Sequence, residues 1–248
     1  MRRLVEAYRG VPPHQLDYTA LLEATNRFGA GRQLEWDQAS FVELQAMLSE
    51  AEAWLDLQAA WRCLSEGTAG DPATMKVSSE LEFWAFFEPL GAGRVLYVGS
   101  GAYPQTALYA LERLPELRVD GIDLVPHCSV LCSALAERLG LAGRLVAFTV
   151  PGEELSPDLI GSYDGFFVSS AVRPKNTIID RILRYRRPHA PIYAREDEAH
   201  PDFYEPVEVD HPEVLSARRA RARWAEAKGS PAPLPAGCEV GGAEEAWR

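Results

Sequence analysis

Positive charge is scarce in this chain. Lys and Arg total 25 against 36 Asp and Glu, giving a formal net charge of −11 at pH 7 and a pI near 5.0. Such a field repels phosphate backbones and anionic membrane surfaces, so neither nucleic acid nor membrane is an expected partner, and a small molecule is. Cysteine is equally sparse: Cys63, Cys128, Cys132 and Cys238 are too few and too scattered for a disulfide framework. Without an apolar run of 18 residues or a signal-peptide core, a soluble, cytoplasmic protein is expected. His127, Cys128 and Cys132 lack a fourth ligand and fall inside an amphipathic helix, so no metal is expected. The other histidines show no relay spacing, no Ser-His-Asp arrangement can be argued, and no internal repeat is visible.

What is present is concentrated in residues 94–126, RVLYVGSGAYPQTALYALERLPELRVDGIDLVP. An apolar run breaks at Gly99-Ser100-Gly101, passes into a helical pattern, and is followed by a second apolar run ending at Asp123. In a βαβ unit of this length, glycines let the backbone approach a ligand, and the helix N-terminus favours negative charge there. Asp123, 22 residues after Gly101, falls where an acid accepts hydrogen bonds from ribose hydroxyls. The unit predicts a nucleotide or nucleoside site.

Around it, residues 1–37 carry short amphipathic pieces broken by Pro12-Pro13 and Gly29-Ala30-Gly31. Residues 40–65 predict a long helix, with Ser40 and Glu43 at capping-box spacing and Leu44, Met47, Leu48, Ala51, Trp54, Leu55, Trp61 and Leu64 on its apolar face. Residues 79–90 predict a second helix, dense in aromatics, with apolar surface to spare for a homodimer contact. Beyond Asp123, a helix over 125–139, strands at 144–150, 163–170 and 190–195, and a crossover helix at 176–186 complete an α/β pattern. A further strand is expected at 203–209, an Arg-rich helix at 214–228 and a mobile tail from 229. The fold class is therefore α/β, a Rossmann-like, doubly wound, mainly parallel sheet. Its organisation is a helical N-terminal region (1–90), the nucleoside-binding core (91–212), and the Arg-rich helix with its tail (213–248).

Details of the glycine turn select the ligand. A dinucleotide fingerprint needs a third glycine where this chain has Pro104. S-adenosylmethionine has no phosphate and tolerates a looser turn, so it is the expected co-substrate of a transferase core. Gly99, Ser100, Gly101, Ala102 and Pro104 would form its loop, with Asp123 and Leu124 at the ribose. Val150, Pro151 and Gly152 would supply a backbone amide and an apolar wall for adenine. Ser169 and Ser170 end the fourth strand on the ligand side, Ser169 toward the cofactor and Ser170 toward the second substrate. Arg173, Lys175 and Arg195 are candidate clamps for a substrate carboxylate, Arg195 the best placed at the tip of the fifth strand.

Ordinary methyltransferases carry an acid where this chain has Tyr97 and a third glycine where it has Tyr103. VGSGAYPQT, followed by GIDLVP, VSSAVRPKNTIIDRI and IYAR, resembles the bacterial opine-metallophore aminobutanoyltransferases, relatives of nicotianamine synthase, over about residues 78–196. The resemblance implies transfer of the 3-amino-3-carboxypropyl group of S-adenosylmethionine to the α-amine of histidine, releasing 5′-methylthioadenosine. It implies a product handed to a separate opine dehydrogenase. A protonated amine cannot attack, so a proton acceptor must lie close to it. Glu82, where the family places a glutamate, is the candidate base or amine anchor; Glu80 is its rival, and Ser79 with Glu82 also has capping-box spacing. Tyr103 is the candidate to orient the reacting chain or the amine. A small-molecule N- or O-methyltransferase and a non-catalytic S-adenosylmethionine-binding module are the competing readings.

Overall fold

From Arg94 onward the apolar period alternates between two and 3.6, and strands alternate with helices accordingly. The computed structural model describes residues 6, 9–12, 15, 38–66, 79–196, 204–209 and 211–229. Most of the short pieces read at 1–37, and the tail beyond 229, lie outside them.

Helix α1 (Gln38–Glu66) comes first, then α2 (79–90). The sheet region follows with β1 (Arg94–Val98), α3 (Gln105–Arg113), β2 (Arg118–Asp123), α4 (Pro126–Arg138) and β3 (Leu145–Thr149). After these come α5 (Pro157–Ile160), β4 (Gly165–Val168), α6 (Lys175–Tyr185), β5 (Ile192–Ala194), β6 (Val214–Ser216) and α7 (Ala217–Lys228). The six strands form one sheet in the order β3-β2-β1-β4-β5-β6, with every adjacent pair parallel. The order reverses at β1, so the topological switch point lies between β1 and β4, beyond whose carboxyl ends ligands of such sheets bind.

Strand residues alternate between two cores. Val95, Tyr97, Val119, Phe167 and Tyr193 face α1, α2, α3 and α4, while Leu96, Val98, Ile122, Phe166 and Ile192 face α5 and α6. On the first face, Phe167 stacks between Phe87 (centroids 5.7 Å apart) and Tyr193 (5.1 Å), and Tyr97 tilts against it at 4.6 Å. Each fully buried aromatic here contributes roughly 1.5–3 kcal/mol. Helix α2 widens into a π turn at Phe83–Phe87, whose i→i+5 bonding puts Glu82, Phe86 and Phe87 on one buried side. The aromatics expected to offer a dimer surface are thus used within the chain: Phe83 meets Tyr109 edge-on and Trp84 meets Trp224.

Three local readings change. In α1, Leu44 and Ala51 are buried and Leu64 packs on the core as expected, but Leu55 and Trp61 are exposed (37% and 65%), and Ala60 and Cys63 join the core shared with α4. Residues 204–209 are not a strand. Glu205 accepts from the amides of Lys175 and Asn176, and the amides of Val207 and Glu208 are taken by the side chains of Glu196 and Asn176, so no ladder forms. The sixth strand is instead Val214–Ser216, and the Arg-rich helix starts after it, with Ser216 Oγ accepting from the Arg219 amide at 3.3 Å.

Candidate functional site

Two glycines in left-handed backbone make the loop after β1. Gly99 has φ +70° and Gly101 φ +65°, conformations that strain any residue with a Cβ. The space is closed as well: a Cβ on Gly99 would stand 2.5 Å from Val172 Cγ2, and one on Gly101 would stand 2.1 Å from Asp56 Oδ2. The amides of Gly99 and Ser100 donate to the Ile122 carbonyl, which binds the loop to β2. Ser100, Ala102, Tyr103 and Pro104 are buried, and Pro104 stands immediately before α3. The Gln105 amide is taken by the Tyr103 carbonyl at 2.7 Å.

Asp123 ends β2 beside this loop. Its Oδ2 accepts from the Gly101 amide and its Oδ1 from the Val125 amide, each at 2.9 Å. The carboxylate therefore fixes the loop and stays half-buried at the ligand end of the sheet. Leu124 beside it is 61% exposed, an apolar wall open to a planar ring. Across from it, Val150 donates its amide to the Asp123 carbonyl, and Pro151 leads into a short turn at Gly152–Glu154. Gly152 lets that turn seat on the sheet's other face, since a Cβ there would meet Ile178 at 2.7 Å.

The strongest polar cluster spans α2, α3 and the end of β5. Arg195 Nε donates to Glu82 Oε1, and its Nη2 to Glu82 Oε2, both at 2.6 Å. Thr106 Oγ1 donates to Glu82 Oε2, also at 2.6 Å. Glu82 is 5% exposed, so this is a buried, bidentate carboxylate–guanidinium pair with a hydroxyl closing it. Burial acts to lower the Arg195 pKa, but the Glu82 carboxylate, with Tyr97 and Tyr193, outweighs it and holds the guanidinium above its ordinary value. Arg195 also lies 5.3 Å over the Phe167 ring, which joins the pair to the aromatic stack. The capping box read at Ser79 and Glu82 is not made: Glu82 turns to Arg195, and Ser79 Oγ is buried without a partner among the described residues.

Lys175 is fully buried, and its Nζ donates to the backbone carbonyls of Arg195 and Glu205 at 3.0 Å each. Its ammonium thus pins the strand end from which Arg195 projects. Burial pushes it down to about 8, although Glu196 and Glu205 pull the other way. Ser169 and Ser170 are half-buried after β4, with the Ser169 amide on the Val98 carbonyl. Arg173 is half-buried before α6, and Glu80 is exposed on α2, away from the buried Glu82 side.

Two residues of this region were not read from the sequence. Thr106 carries no pattern that distinguishes it from any early helix threonine. Asp56 did leave a trace, since Glu52, Asp56, Ala60 and Cys63 fall at i, i+4, i+8 and i+11, one side of α1. Among the described residues, no group of His, Cys, Asp and Glu is placed to hold a metal. The Cys128 and Cys132 thiols are pushed up to about 12, chiefly by burial. None of the described helices is long and apolar enough to cross a membrane.

No protein-family model and no curated protein matches the chain. Among solved structures it is similar to the nicotianamine synthase MtNAS. A crystal structure of a glutamate-to-glutamine variant of that protein matches with a TM-score of 0.57 and 17% identity, over 84% of this chain and 86% of that one. The crystal structure of MtNAS in complex with MTA and tNA gives the same figures. At that identity the likeness establishes the fold, and at that coverage it takes in more than the sheet.

Proposed function

We propose that this protein is an S-adenosylmethionine-dependent transferase that moves the 3-amino-3-carboxypropyl group to the α-amine of histidine and releases 5′-methylthioadenosine. The observation that carries the reading is Glu82. It is a buried carboxylate brought by a helix outside the sheet to its ligand end and held in one orientation by Arg195 and Thr106. An amine nucleophile needs such a carboxylate, to receive it and then to take its proton as the new bond forms. The complex of MtNAS with MTA, a protein similar in fold over 84% of this chain, supports the same direction.

The residues around the loop suit a nucleoside. The two left-handed glycines present bare backbone with no Cβ over it, Asp123 offers a half-buried carboxylate beside the loop it fixes, and Leu124 stands exposed for the adenine ring. The co-substrate supplies an electrophilic carbon on a sulfonium, and the protein decides which carbon reacts by facing one of them to the amine in line. In this reading Tyr103 orients the reacting chain beside Pro104, and Ser169 and Ser170 line its far side. Arg195 sets Glu82, while Arg173 is the remaining candidate for the acceptor's carboxylate. The product joins two amino acids through a secondary amine, the kind of compound that a separate opine dehydrogenase would take forward.

Incubation with S-adenosylmethionine and histidine tests the proposal directly. Methylthioadenosine and the alkylated histidine are expected in equal amounts. Accumulation of S-adenosylhomocysteine would establish methyl transfer instead and sink it.

A further inference from the structure

A negative charge is missing from the strand that usually supplies one, and another element brings it. In ordinary methyltransferases an acid stands where this chain has Tyr97. Here Tyr97 is buried in the aromatic stack, and burial pushes its hydroxyl up to about 12, so it carries no charge at neutral pH. Asp56 of α1 comes over the same loop from the other side. Its Oδ2 lies 2.1 Å from the point where a Gly101 Cβ would be, a place open only because residue 101 is glycine. Asp123 holds the amide of that glycine. Gly101 is thus flanked by two carboxylates, one engaged with the loop and one not.

Asp56 has no hydrogen-bond donor among the described residues. The nearby guanidinium of Arg195 is committed to Glu82 through both of its forks. Burial, with the neighbouring carboxylates of Glu52 and Asp123, pushes Asp56 up to about 7 against the pull of Arg195. A half-buried carboxylate in acidic surroundings and without a cationic partner is costly to keep, and a bound cation relieves that cost.

We propose that Asp56 is the carboxylate that receives the ammonium group of the nucleoside's amino-acid chain, so that α1 completes the pocket the glycine loop begins. This rests on the nucleoside reading above and goes beyond it. Asp123 takes the ribose and Asp56 the charged end of the chain, and the distance between the two roles sets which part of the co-substrate passes over Gly101. Asp56 is a positioning residue in this scheme: it places the reacting chain, and it exchanges no proton with it.

Three ligands and two variants separate the alternatives, with calorimetric binding to the full chain at pH 8. S-adenosylmethionine carries both sulfonium and ammonium, S-adenosylhomocysteine only the ammonium, and methylthioadenosine neither. Asp56→Asn is expected to lose about tenfold or more in affinity for the first two, the scale of one charge-assisted hydrogen bond, while methylthioadenosine changes by less than about twofold. Asp56→Glu, which keeps the charge, is expected to retain most of the preference for S-adenosylhomocysteine over methylthioadenosine. Equal losses for all three ligands would make Asp56 a purely structural residue, and a loss for S-adenosylmethionine alone would assign it to the sulfonium; either overturns the proposal, as does no loss at all. A wild-type chain that binds none of the three overturns the nucleoside reading, and the proposal with it.

Discussion

Removing the Asp56 charge should make the protein more stable, by an amount that grows from about pH 4 and is complete above neutral pH. The folded carboxyl titrates at about 7, while an unfolded aspartate titrates near its ordinary 3.8. Between those values the folded chain binds more protons than the unfolded one, so stability falls as pH rises through the window. Three units at about 1.36 kcal/mol each set a ceiling of about 4 kcal/mol for the cost at pH 8. The side chain is half-buried and keeps part of its hydration, which brings the expected cost to about 2 kcal/mol. Asn has the shape of the protonated acid and never ionises. Asp56→Asn should therefore match the wild type near pH 3, pull ahead of it progressively from pH 4 to 7, and exceed it by about 2 kcal/mol at pH 8, or about 4–8 °C in Tm. Urea unfolding at the two pH values checks this, read as a shift in midpoint at constant slope. Comparing the two proteins at each pH cancels the titration of the other acids. A variant less stable than wild type at pH 8, or a difference independent of pH, would refute the reasoning. Together with the expected loss of affinity, the variant would exchange binding for stability, as residues kept for function rather than folding do.

Glu82→Gln should lower turnover of S-adenosylmethionine with histidine by about a hundredfold or more while methylthioadenosine binding stays within a few-fold, because the amine loses its carboxylate and the nucleoside pocket is untouched. The same variant leaves Arg195 facing a neutral amide and should cost about 2 kcal/mol in urea unfolding, less than the 3–5 expected when a buried pair is broken outright. Gly101→Ala should cost about 1–2 kcal/mol from its left-handed backbone alone and should abolish nucleoside binding, since its Cβ would enter the space held by Asp56. Combining it with Asp56→Ala should recover more stability than Asp56→Ala gains by itself, and strict additivity of the two changes would exclude the contact. Lys175, depressed to about 8 from 10.5, binds fewer protons folded than unfolded between those values, so its contribution rises with pH across that window by up to about 3 kcal/mol; in Lys175→Met that rise should vanish from midpoints measured at pH 7.5 to 10.

Which parts of the site were legible depends on whether a residue's role is set by its neighbours in sequence. Gly99, Gly101 and Asp123 were readable because a strand, a turn and a strand of fixed length leave them a single place, and the structure has Asp123 bonded to the Gly101 amide across those 22 residues. The strands up to β5 were readable for the same reason. Glu82 and Arg195 were each singled out, but their pairing was not, because 113 residues separate them and it depends on how α2 packs across the sheet. The exchange of a strand at 203–209 for one at Val214–Ser216 has a similar origin. In the sequence Phe203, Val207 and Val209 share the phase of a period of two, yet the segment's polar groups find α6 and the Glu196 side chain before they find a ladder.

Asp56 shows the limit most clearly. In the sequence it interrupts an apolar helix between Leu55 and Leu57, where an acid reads as part of a solvated face. In the structure Leu55 is the exposed residue, and the acid faces inward with Ala60 and Cys63. Leu55 and Trp61 fall outside the stripe because, where α1 meets α4, small residues enter the shared core instead: Ala60 and Cys63 from α1, Cys128 and Cys132 from α4. That packing carries Asp56 down onto Gly101, the residue in the loop that can accept it without a clash. A helix packed through small side chains and a glycine left open beneath Asp56 are therefore a single feature, and enlarging either partner should disturb the same pocket.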